Sequence, residues 1–110
     1  MRRVLILSLL ACLLPAALLL SSRGRWPHKK HRVTLKWQAP ALPAGEIVVG
    51  YNIYRSDQEN GHDELIAEKV NALTYIDTAV QSGHTYYYRV TSMDAKGRES
   101  IPATTNATVP

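Results

Sequence analysis

The stretch "SGHTYYYRVTSMD", Ser82 to Asp94, sets a turn glycine before consecutive tyrosines and then alternates apolar with polar residues. Successive side chains of a β-strand point to opposite faces. Counting by twos from Val80 reaches Tyr86, Tyr88 and Val90, which therefore share one face, while Tyr87 and Arg89 share the other. A strand that is apolar on one parity and polar on the other is half-buried. Tyr86 and Tyr88 are thus expected to point inward, and Tyr87 outward.

The same reading extends to both sides. In "HRVTLKWQAP" Val33, Leu35 and Trp37 alternate with Thr34, Lys36 and Gln38, and "APALPAGE" then stops the strand with prolines and a glycine. "IVVGYNIYRS" is a second strand, with Val49, Tyr51 and Ile53 on one parity and Tyr54 on the other. "DQENGH" is a polar turn, "ELIAEKV" reads as a short edge strand, and "LTYIDT" as another strand. "DAKGRE" turns the chain, and the Thr-rich "SIPATTNATV" closes it with a proline suited to a sheet edge. Short strands at regular spacing, separated by turn signals, indicate an all-β sandwich or barrel.

The first 22 residues differ in character. Arg2 and Arg3 precede an apolar run from Val4 to Leu20, the pattern of an export signal. The run is near the short limit of the roughly 17–25 residues that span a bilayer, so residues 1–22 are expected to be either a cleaved signal peptide or a retained membrane anchor. Residues 23–32 form a basic linker, and residues 33–110 are the domain. Arg23, Arg25, Lys29, Lys30 and Arg32 account for the excess behind the net charge of +4. Such a run is a solvated linker or lies on anionic lipid headgroups. Nucleic acid is not expected as a partner of an exported chain. The only cysteine, Cys12, lies in the leader, so the domain has neither a disulfide nor a thiol-based metal site to hold it.

From Val33 to Val109 the pattern resembles a fibronectin type III domain of bacterial type. "VTLKW" looks like the second strand of that family and ends on its core tryptophan at Trp37. "GYNIYRS" looks like its third strand, and "TYIDTAVQSGHTYYYRVTSMDAKGRES" like its fifth and sixth strands and the turn after them. The apolar run of the leader is expected to form a helix, and the resemblance implies an immunoglobulin-like two-sheet sandwich after it. Its core would hold Val33, Leu35, Trp37, Tyr51, Ile53, Tyr75, Val80, Tyr86, Tyr88 and Val90. It also implies that Tyr86 is the corner tyrosine whose hydroxyl bonds back to upstream backbone. Between Leu20 and Val33 little is left for a first strand, which is expected to be vestigial. Asp77 falls on the inward parity and is expected to cap the turn toward Val80 rather than to be a buried acid.

The chain offers no catalytic, cofactor or metal signature. The acidic stretch "SDQENGHDE", Ser56 to Glu64, misses EF-hand spacing and reads as a solvated turn. Apart from His28 and His31 in the linker, the histidines lack zinc spacing. One surface is a candidate for binding. Tyr54, Tyr87 and Arg89 lie on outward parity of strands that are neighbours in this fold, and exposed aromatics beside an arginine suit a binding surface. The bland alternative is a cross-strand pair that stabilises the sheet by roughly 0.2–1 kcal/mol. The expected function is a non-catalytic interaction or spacer module outside the cytoplasm, binding a protein or a polysaccharide. The alternatives are a membrane-anchored surface or adhesion component, and an accessory module to a carbohydrate-active enzyme.

Overall fold

Among the described residues, seven strands build two antiparallel sheets. The structure, a computed structural model, describes residues 5–12 and 30–110. The strands are β1 (Leu5–Cys12), β2 (Arg32–Gln38), β3 (Val48–Ser56), β4 (Glu64–Val70), β5 (Thr74–Asp77), β6 (Thr85–Asp94) and β7 (Ala103–Thr108). One sheet has the order β1-β2-β5 and the other β4-β3-β6-β7. The ambiguous "ELIAEKV" is β4, an edge strand.

The place of a first strand is taken by Leu5–Cys12, which pairs with β2 from Leu5 opposite Gln38 to Cys12 opposite Arg32. This part of the leader is extended where a helix is expected, and the edge of β2 is covered rather than open. The physical reason is the row of N–H and C=O groups that an edge strand presents, which any extended apolar segment can pair. The remainder of the leader and linker residues Arg23, Arg25 and Lys29 lie outside the described residues; Lys30 and Arg32 are exposed.

Between the sheets lie Val33, Leu35, Trp37, Tyr51, Ile53, Val80, Tyr86, Tyr88 and Val90, joined by Ala103, Ala107 and Val109 from the C-terminal strand and its end. Tyr75 is only partly buried and packs against this cluster. The indole of Trp37 meets the ring of Tyr51 at 5.4 Å between centroids, tilted by 59°. Such a tilted arrangement avoids the face-to-face sandwich that aromatic pairs disfavour.

Alternation fails in β3. Val49 shares sequence parity with Tyr51 and Ile53 but is exposed, because the β3–β6 register slips between Val48 and Gly50. A bulge of one residue reverses the facing of whatever precedes it. The other edge of β3 is also irregular: Tyr51 pairs with Val70 and Ile53 with Ala67, so β4 carries an extra residue there. Lys69 takes up the irregularity with a φ of +54°, and its N–H donates to Asn52 Oδ1 at 3.0 Å. Gly50 permits this approach, since a Cβ there would stand 2.8 Å from the Lys69 Cα.

The triple tyrosine sorts by alternation. Gly83 turns the chain at φ +83° and donates its N–H to the Val109 carbonyl at 2.7 Å. Tyr86 follows, and its hydroxyl accepts the Gln81 N–H at 2.9 Å, a latch across the corner into β6. Tyr88 is fully buried, Tyr87 half-buried on the outer face, and Arg89 exposed.

Asp77 departs from expectation. It does cap the turn, accepting the Ala79 N–H at 3.1 Å, but it is also a buried acid, 3% exposed. Arg55 Nη1 donates to Asp77 Oδ1 and Oδ2 at 3.1 and 2.9 Å, and the Tyr88 hydroxyl donates to Oδ2 at 2.8 Å. A carboxylate can sit inside only when its oxygens are paired and hydrogen-bonded. Burial first, and the bond to Asp77 second, push the Tyr88 phenol well above its ordinary range. The Arg55 guanidinium also lies 5.4 Å from the centre of the Tyr86 ring, within cation–π range. Because β5 belongs to one sheet and β3 and β6 to the other, this network ties the layers together.

Candidate functional site

The register of the four-stranded sheet brings its outward side chains into rows. Leu65, Tyr54, Arg89 and Thr104 stand opposite one another across β4, β3, β6 and β7. In the next row Ser56 faces Tyr87, which faces Asn106. Tyr54 and Tyr87 are therefore diagonal neighbours on one face, a separation of about 7–8 Å between backbones.

Their side chains go different ways. The Tyr54 hydroxyl donates to Glu99 Oε1 at 2.8 Å. The same oxygen accepts from Asn52 Nδ2 at 3.0 Å and from the Thr91 hydroxyl at 2.6 Å. Glu99 follows the turn at Asp94, where Asp94 Oδ1 accepts the N–H groups of Lys96 and Arg98. That turn, and a bridge between Met93 and Glu99, swing the carboxylate back over the sheet. Sequence reasoning missed Glu99, since its donors lie on two different strands and no local pattern marks it.

Hydrogen bonds hold the Glu99 carboxyl below the usual carboxylate range, the Thr91 hydroxyl foremost, with Asn52 and Tyr54 adding to it against the opposing effect of burial. A depressed folded-state pKa contributes stability that is present above the unfolded value of 4.5 and lost as pH falls through the lower folded value. Comparing melting temperatures of the native chain and Glu99→Gln across pH is expected to show a constant gap near neutrality that narrows below 4.5. A gap that does not change with pH would contradict the role given to this carboxylate.

Tyr87 and Arg89 remain free of that cluster and line an open groove of ≈ 590 Å³ with Asp63, Glu59, Thr104 and Asn106. Arg89 Nη1 donates to Asp63 Oδ2 at 2.9 Å. The loop between β3 and β4 carries Glu59 and Asp63 to the groove. Ser56 Oγ starts it, accepting the Gln58 N–H at 3.0 Å and donating to the Gln58 carbonyl at 2.8 Å. The Gly61 N–H then donates to the Gln58 carbonyl at 3.0 Å. Of the acidic turn, Asp63 is thus committed to Arg89 on the sheet face, and Glu64 stands 3.8 Å from Arg55 Nη2. Among the described residues no cluster of three or more His, Cys, Asp or Glu stands close enough to hold a metal.

No protein-family model matches the chain. Over 69 residues, 63% of the chain, it is 42% identical to an amylopullulanase of Thermoanaerobacter thermohydrosulfuricus, of whose length it spans 4%. It is similar in structure to an Fn3-like protein from Clostridium thermocellum, with 30% identity, a TM-score of 0.60, and coverage of 72% of this chain and 77% of that one. A β-1,2-glucanase from Parabacteroides distasonis contains a similar region, with 27% identity and a TM-score of 0.57 over 72% of this chain and 11% of that one.

Proposed function

This chain belongs to the fibronectin type III-like family, and we propose that it serves as a non-catalytic accessory module of a carbohydrate-active enzyme. The observation that carries this reading is the 42% identity with a segment of an amylopullulanase, a level well above that of the structural neighbours. The groove on the outer face supports it, because Tyr87 and Arg89 are of the residue types that interfaces favour. We further propose that the module works outside the cytoplasm, with residues 1–22 as its export signal or anchor and the basic linker next to the membrane surface; in that role Leu5–Cys12 leave their pairing with β2, whose edge is then open. That part of the proposal rests on the order of charged and apolar residues.

One assay of three proteins tests the accessory role. The segment of the Thermoanaerobacter amylopullulanase that this chain matches is replaced by residues 30–110, and the hybrid is assayed on pullulan beside the parent enzyme and the free chain. The hybrid is expected to keep the parent's rate within a few-fold, and the free chain to release no sugar. Hydrolysis by the free chain, or a folded hybrid without activity, would overturn the reading.

A further inference from the structure

We propose that the groove between Tyr87, Arg89 and the β3–β4 loop binds a neutral polysaccharide; the inference rests on the accessory-module reading and names the ligand class of its outer face. A sugar chain presents apolar C–H faces together with hydroxyl groups that both donate and accept hydrogen bonds. Recognising it takes an aromatic ring beside a mixed set of donors and acceptors. The groove supplies that set from separate elements. Tyr87 contributes the ring from β6, Arg89 a fork of N–H donors, and Asp63 and Glu59 carboxylate acceptors from the loop. Asn106 and Thr104 on β7 can each donate and accept.

Several observations favour a neutral sugar chain over other occupants. The ion pair between Arg89 and Asp63, 2.9 Å long, fixes the guanidinium before any ligand arrives, which lowers the ordering cost of binding. Among the described residues Arg89 is the one cation lining the groove, against the carboxylates of Asp63 and Glu59, so an anionic polymer meets repulsion. A protein partner would be expected to seat on an apolar centre, and the large exposed apolar side chains Ile47, Val49, Leu65, Leu73, Ile76 and Ile101 do not line this groove, Leu65 standing two strands from Arg89 in the same row.

The test is native gel electrophoresis of the full chain in gels containing pullulan, soluble starch or polygalacturonate. At least one of the neutral glucans is expected to retard the chain. Tyr87→Ala and Arg89→Ala should each raise the apparent Kd about tenfold or more, while Lys36→Ala on the opposite sheet should match the native chain. Melting temperatures accompany every variant. If Tyr87→Ala is unfolded, Asn106→Ala at the exposed rim takes its place, with the same expectation. Absence of retardation by both neutral glucans, retardation that survives the groove substitutions, or retardation by polygalacturonate alone would each overturn the proposal. Those results leave the hybrid enzyme's activity untouched, so the failure of the groove and the failure of the accessory role are told apart.

Discussion

Replacing Trp37 by alanine is expected to lower the stability of the domain by about 3–5 kcal/mol, the cost of emptying the site of a large buried aromatic. Trp37 is 2% exposed and packs on Tyr51 in the middle of the core. A domain of this size has only about 5–15 kcal/mol in total, and the chain's single cysteine allows no internal disulfide to offset the loss. At about 4–8 °C per kcal/mol for a small domain, the melting temperature should fall by well over about 10 °C. The indole N–H is buried without a hydrogen-bond partner among the described residues. The tryptophan therefore acts through its volume, and Trp37→Phe should cost much less than Trp37→Ala. Thermal unfolding of the two variants checks this. Equal losses would mean that the N–H, and not the ring's bulk, is what the core needs.

The second large effect is expected at Asp77. Asp77→Ala removes the acceptor for Arg55, for the Ala79 N–H and for the fully buried Tyr88 hydroxyl at one stroke. Breaking a buried ion pair by deleting one partner costs about 3–5 kcal/mol, because the other charge is left uncompensated. Arg55 keeps 17% of its side chain exposed, so water relieves part of that penalty and the low end of the range is expected. Deleting both partners in Asp77→Ala with Arg55→Met should be milder than the sum of the single losses. A double-mutant cycle read by denaturant unfolding measures the difference. Additive losses would show that the pair does not bind the two sheets to each other.

These two residues mark the boundary of what the sequence could reveal. Trp37 was legible because its alternation with Leu35 and Val33 is local, and the same holds for Tyr86, Tyr88 and Val90 in β6. The corner hydroxyl bond was legible too, since Gln81 and Tyr86 are close in the chain. Asp77 was half legible: its cap on Ala79 is local, but its partner Arg55 comes from another strand in the other sheet. Val49 was misread because a bulge breaks alternation without altering composition. At the candidate site, sequence parity put Tyr54, Tyr87 and Arg89 on one face. It could not show that Tyr54 leans toward Glu99 or that Asp63 reaches back to Arg89, for both contacts are made by loops that pairing folds over the sheet.

Strand β6 divides its adjacent tyrosines between corner, groove and core, and hydroxyl deletion reads that division directly. Tyr86→Phe strands the Gln81 N–H and is expected to cost about 0.5–1.5 kcal/mol. Tyr88→Phe removes a buried bond to a carboxylate and is expected to cost more, about 1.5–3 kcal/mol. Tyr87→Phe should leave stability within about 0.5 kcal/mol of the native chain, as surface substitutions do. Neighbouring positions share composition and local propensity, so only the facing of the strand can separate them. Equal losses, or a largest loss at Tyr87, would place the strand one residue out of register. Tyr87 would then point into the core, and the groove would lose its ring.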